Sequence, residues 1–231
     1  MGGAPARATR GRRVIANRWS ERRGALSGLG DPGRVAITFD DGPDPASTPQ
    51  VLALLDDLDV RATFFVLGAM LARHPDVGRA LVAAGHEVGV HGWSHRPLPL
   101  RGPASTRADL ARAHAQVEAT CGVTPTRYRP PYGVLTRAAD RAARDLGMTP
   151  VLWTTWGRDW RRRATGATVR ADVARHLGAG GTVLLHDSDC TSAPAAWRST
   201  LDALPGIVAD VRALGLVPGP LRDHGVASVA R

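Results

Sequence analysis

From Arg34 onward, short apolar runs alternate with longer stretches rich in Ala, Leu and Arg. The apolar runs are β-branched, aromatic or aliphatic, which predicts strands over 34–39, 61–66, 86–90, 126–129, 149–153, 181–185 and 215–218. Helical patterns fall between them at about 49–58, 69–84, 104–120, 136–146, 168–179 and 195–214. Gly85, Gly122, Gly147, Gly180 and Gly215 mark junctions from helix to strand, where a left-handed residue ends a helix. Regular alternation implies a parallel sheet and an α/β fold. Seven such units, none with a Gly-x-Gly-x-x-Gly turn between its strand and the helix that follows, favour a (β/α) barrel over an open dinucleotide-binding sheet.

A chain of 231 residues with 43% hydrophobic and 22% charged residues suits one globular domain. No apolar run approaches the ~20 residues that span a membrane. The net charge is +9, but residues 1–23 hold seven arginines against the single acid Glu21, so most of the excess sits in one Gly-, Ala- and Pro-containing segment. That segment reads as a solvated basic tail, although contact with an anionic lipid, polymer or nucleic acid is another use for it. The expected organisation is a tail or adaptor over 1–33, a folded domain over 34–221 and a C-terminal tail over 222–231. With little excess charge in the domain, no nucleic-acid partner is expected, and the chain is expected to be a monomer. The basic segment lacks the apolar stretch of a secretory signal. Cys121 and Cys190 lie far apart and form neither a metal-type pair nor a disulfide scaffold.

Polar clusters follow five of the proposed strands: Asp40-Asp41, His91 to His95, Arg129 to Gly133, Trp156 to Trp160, and His186-Asp187. Barrel enzymes place their chemistry at the carboxyl ends of strands, so the positions agree with the fold. Two adjacent carboxylates at a strand end are costly unless a positive charge balances them, though a solvated Asp-Asp-Gly turn is the simpler alternative. His91 and His95, four apart, lie on one face if the segment is helical or tightly turned. Two histidines and one Asp make a catalytic metal set with open positions for water and substrate, and zinc suits it, with cobalt or nickel also fitting. The second Asp is then placed to take a proton from a water, and His186, at the end of an apolar strand, is the candidate acid.

The ordered motifs TFDDGP, HGWSH, RPPYG, WGRDW and LLHD, from about Arg34 to Leu221, resemble the polysaccharide deacetylase family, the NodB-like carbohydrate esterase family four. The resemblance implies a distorted (β/α) barrel of seven to eight parallel strands. It implies Asp40 as base, and Asp41, His91 and His95 as ligands of a divalent metal. Arg129 would orient the base, the Tyr132 backbone N–H would bind the oxyanion, and Asp159 would pair with the acid His186. Trp160 and Leu184 would form the acetyl pocket. The implied reaction removes N-acetyl groups from a glycan such as chitooligosaccharide or peptidoglycan, with O-deacetylation or a non-catalytic carbohydrate-binding role as alternatives. That substrate class points to the cell envelope. Gly92 stands where the family's motif usually has Ser or Thr, and Trp156 where an Asp is frequent.

Overall fold

A computed structural model describes residues 24–225; the arginine-rich segment and residues 226–231 lie outside the described residues. Eight strands form one parallel sheet: β1 Arg34–Asp40, β2 Thr63–Val66, β3 Glu87–Val90, β4 Arg127–Tyr128, β5 Thr149–Pro150, β6 Thr155–Trp156, β7 Thr182–His186 and β8 Val217–Gly219. Their order is β5-β4-β3-β2-β1-β7-β6, with β8 against the start of β1. Seven helices join them: α1 Thr48–Asp57, α2 Gly68–Arg73, α3 Pro75–Ala83, α4 Pro103–Cys121, α5 Arg137–Asp145, α6 Gly166–Ala174 and α7 Trp197–Ala213. The sheet curls into a distorted (β/α) barrel, as the sequence pattern and the resemblance led one to expect.

β1, β2, β3 and β7 are buried on both faces along nearly their whole length, and their period of two divides the work. Val35, Ile37 and Phe39 of β1 join Phe64, Val183 and Leu185 and the helical Leu55, Leu204 and Ile207 in the main core. Phe39 and Phe64 stack at 5.0 Å between ring centroids. The alternate positions Ala36 and Phe65 pack separately with Val151 and Leu221. Thr38, Asp40, Leu184 and His186 share that second parity, so the sheet's inner face grows polar toward its carboxyl end.

Three elements depart from the sequence reading. The helix expected over 69–84 breaks at His74, because Pro75 disfavours helical geometry in the residue before it. The strand expected over 149–153 shortens to β5, and a further two-residue strand, β6, follows. Between them the chain changes partners. The Val151 N–H donates to Tyr128 O, whereas the Thr154 N–H donates to Thr182 O of β7. Residues 151–154 thus cross from one edge of the sheet to the other and close the ring with chain rather than a ladder. Third, residues 24–33, grouped with the tail from composition, are docked: the Gly30 N–H donates to Gly180 O at 2.9 Å and the Asp31 N–H to His224 O at 2.8 Å. His224 is itself buried. The folded body therefore begins before Arg34 and continues past Leu221.

Arg129, just beyond β4, is wholly buried and ties this crossing to β1. Its Nη1 donates to Thr38 Oγ1 at 2.7 Å and Asp40 Oδ1 at 2.8 Å, its Nη2 to Leu152 O at 3.0 Å, and its Nε to Val151 O at 3.3 Å. Removing one partner of such a pair strands a buried charge. Arg129→Met is expected to cost about 3–5 kcal/mol in urea unfolding, and less when combined with Asp40→Asn. Equal losses in the single and double variants would show that packing, not charge, carries the effect.

Candidate active site

The parallel register of β1 and β7 sets Asp40 opposite His186. Both therefore leave adjacent strand ends on the same side. They line a cavity of about 250 Å³ together with His91, His95, Leu184 and Trp160. Tyr132, Gly133, Trp153, Trp156, Thr191 and Ser192 complete its wall. Of the residues expected at the site, Asp40, His91, His95, Tyr132, Trp160, Leu184 and His186 line this cavity, and Asp41, Arg129 and Asp159 lie buried behind it in contact with them.

Asp41 is buried and adopts φ 81°, a left-handed geometry unusual for Asp. That turn swings its carboxylate away from the strand direction, toward the second motif. Its Oδ1 lies 3.6 Å from His91 Nε2 and 3.5 Å from His95 Nε2. The two histidines do not lie on a helix. They sit in a tight loop where Gly92 and His95 both take positive φ, at 89° and 54°. The loop is held without a Ser or Thr at position 92: the Gly68 N–H donates to Gly92 O, the Ala69 N–H to Trp93 O, and the Trp93 N–H to Asp109 Oδ2 at 2.9 Å.

The donor set fits a divalent cation. One ligand atom from each of Asp41, His91 and His95 lies within 4.8 Å of the others. Asp41 Oδ1 is buried with no hydrogen-bond partner. His91 Nδ1 lies 2.8 Å from Arg129 O, so that nitrogen carries the hydrogen and Nε2 keeps a free lone pair toward Asp41. Burial, then the neighbouring His91, push the His95 pKa down to about 4, which leaves its imidazole neutral and able to ligate. The His95 ring packs edge-on against Tyr132 at 4.5 Å.

On the other side, His186 Nδ1 is 2.8 Å from Asp159 Oδ1, and the His186 backbone N–H donates to Asp159 Oδ2 at 2.7 Å. The Thr200 hydroxyl adds a third hydrogen bond to the Asp159 carboxylate, donating to Oδ2 at 2.6 Å. Burial alone would favour neutral His186, yet the Asp159 charge and hydrogen bond raise its pKa well above the usual imidazole value, with Asp41 and Asp40 adding to the rise. Burial likewise opposes the Asp159 charge, but His186 and the hydrogen bonds hold its pKa below the ordinary carboxylate range.

Aromatic rings build one wall of the cavity. Trp153, Trp156 and Trp160 run in contact, with centroids 5.7 and 5.4 Å apart, and Trp160 meets His186 edge-on at 5.5 Å. Trp153 lines the cavity, where Gly133 makes room, since a Cβ there would lie 2.7 Å from its ring. Trp93 stands apart from this wall and lines a neighbouring groove under Arg112. Sequence reasoning assigned nothing to Asp187, Thr191, Ser192, Thr38 or Asp109. Asp187 was at least visible beside His186. Its carboxylate receives the Gly42 N–H at 3.2 Å and the Thr48 hydroxyl at 2.5 Å, and a Cβ at Gly42 would fall 2.1 Å from it. Burial, with a contribution from Asp41, raises the Asp187 pKa to about 7.

A profile of the polysaccharide deacetylase family matches residues 28–151. The chain is 35% identical over 69% of its length to the peptidoglycan-N-acetylglucosamine deacetylase PgdA of Listeria monocytogenes, although it spans only 34% of that protein. It is 36% identical to a chitooligosaccharide deacetylase of Bradyrhizobium, over 73% of this chain and 76% of that one. Its fold is similar to that of a family 4 carbohydrate esterase from Streptomyces lividans solved in complex with acetate, with a TM-score of 0.75, 31% identity, and coverage of 86% and 97% of the two chains. The chain belongs to the polysaccharide deacetylase family.

Proposed function

We propose that the protein is a metal-dependent hydrolase that removes N-acetyl groups from a glycan of the chitooligosaccharide or peptidoglycan class. The supporting observation is that Asp40 and His186, strand-register partners, open onto one cavity beside the Asp41, His91 and His95 cluster. A divalent cation held by those three residues would supply Lewis acidity, polarising the amide carbonyl and lowering the pKa of a water.

The protein groups then divide the proton transfers. Arg129 occupies Asp40 Oδ1, which leaves Oδ2 facing the cavity, 3.6 Å from His91 Nε2. That oxygen accepts a proton as water adds to the acetyl carbon. The carbonyl oxygen gains charge in the tetrahedral species, and the Tyr132 backbone N–H is the donor assigned to it. Tyr132 is held at φ 59°, a strained geometry of the kind found where a site needs a fixed direction. As the C–N bond breaks, protonated His186 delivers its proton to the departing amine, so acetate and a free amino sugar leave. Leu184 and Trp160 offer the apolar surface for the acetyl methyl, and the tryptophan wall offers faces for sugar rings.

Acetate release from N-acetylglucosamine oligomers and peptidoglycan fragments is expected with zinc or cobalt, and its loss on chelation. Asp40→Asn should lower kcat by roughly 10²–10⁴-fold; unchanged turnover in that variant sinks the assignment. A second expectation concerns pH. The active form has His186 protonated, so activity falls as pH rises through its elevated pKa. Asp159→Asn removes a charge that raises this pKa, and the alkaline limb of the kcat profile should move to lower pH. A limb that stays in place would assign it to another group.

A further inference from the structure

Asp41 is gripped by the loop that follows β7. Asp187 holds the Gly42 N–H, the Cys190 thiol lies 3.4 Å from Asp41 O, and the Thr191 hydroxyl donates to Asp41 Oδ2. Oδ1 of the same carboxylate has no hydrogen-bond partner and faces both histidine Nε2 atoms. The two oxygens are thus distinguished by surroundings alone. A carboxylate free to turn about its last torsion presents either oxygen, or both, to a cation. A hydroxyl committed to one oxygen removes that freedom.

We propose that Thr191 is a positioning residue for the cation site: its hydroxyl reserves Asp41 Oδ2, so that Asp41 offers Oδ1 alone. The inference rests on the reading of Asp41, His91 and His95 as holding a divalent cation. Three protein donors, one atom each, leave the remaining positions for water and the substrate carbonyl, whereas a two-oxygen Asp41 would take one of them. Partners that orient a ligand in this way commonly matter nearly as much as the ligand itself. His186 ends β7 and Thr191 lies in the loop that follows it, so the segment that carries the proposed acid also fixes the ligand geometry.

A purely structural Thr191 would merely hold the loop, and the two roles are separable. Thr191 is solvent-exposed apart from its hydroxyl contact, which makes Thr191→Val a near-isosteric loss of one donor. Zinc affinity, read by competition with a chromophoric chelator, is expected to fall by about 10–100-fold in Thr191→Val and to stay near wild type in Thr191→Ser. The cobalt-substituted Thr191→Val protein should also show an altered visible absorption band, as Asp41 changes its mode of binding. Wild-type zinc affinity and an unchanged cobalt band in Thr191→Val overturn the proposal, and so does an equal loss in Thr191→Ser. Should Thr191→Val fail to fold by circular dichroism, Thr191→Ala is read by the same criteria. Asp41→Ala separates the two levels of inference: if it keeps full zinc affinity, the cation-site reading fails, whereas if only Thr191→Val is silent, this inference fails alone.

Discussion

The buried pair of Arg129 and Asp40 is the interaction on which the rest of the structure depends. A guanidinium taken fully out of water is tolerated only when its donors and its charge are matched. Here one carboxylate, one hydroxyl and two main-chain carbonyls accept from it, and its face lies 4.1 Å from the Phe65 ring. Burial pulls the Arg129 pKa down, and the Asp40 charge and hydrogen bond oppose that fall. Two of its acceptors are the carbonyls of Val151 and Leu152, in the segment that closes the barrel where no ladder exists. The same side chain orients the proposed base, and the Arg129 main-chain oxygen fixes the tautomer of His91. Barrel closure, the proposed proton acceptance and the proposed ligand orientation thus share one residue.

Around that pair, the strain is local and its positions are informative. Asp41, His95 and Tyr132 all adopt positive φ, and each sits where a strand has just ended. A regular strand would aim consecutive side chains to opposite faces. The left-handed turns redirect them toward one point. The surroundings hold these conformations in place: the loop after β7 holds Asp41, the start of α2 and Asp109 hold the histidine loop, and Tyr132 packs on His95. The left-handed glycines at the helix ends, Gly85, Gly122, Gly147 and Gly215, carry no such cost, because they lack a Cβ; Gly180 is left-handed too, but α6 stops at Ala174 and Gly180 lies in a turn beyond it.

The sides proposed to carry the acid and the base differ in how charge is managed. Asp40 faces a permanent cation, Arg129, whereas His186 faces a buried carboxylate, Asp159, anchored by Thr200 and a backbone N–H. Opposite counter-charges behind Asp40 and His186, which end the neighbouring strands β1 and β7, suit the proton acceptor and proton donor proposed for them. Leu184 lines the same cavity, with Trp160 against His186, and these apolar surfaces limit water around Asp40 and His186.

Much of this was legible in the chain. Strand-to-helix alternation, the glycine stops and five polar clusters at strand ends specified a parallel barrel and where its chemistry would lie, because those signals are local in sequence. The five motifs named Asp40, Asp41, His91, His95, Arg129, Asp159 and His186 for the same reason. What the sequence left undetermined depends on contacts between distant segments. β6 is too short to carry a pattern, and it exists only because the chain meets β7 there. The docking of residues 24–33 depends on carbonyls more than a hundred residues away. The grip of Thr191 on Asp41 joins positions that have no shared motif or period. Sequence fixes what is encoded by neighbouring residues; tertiary structure alone decides which oxygen, which tautomer and which wall face the site, since those choices follow from packing across the fold.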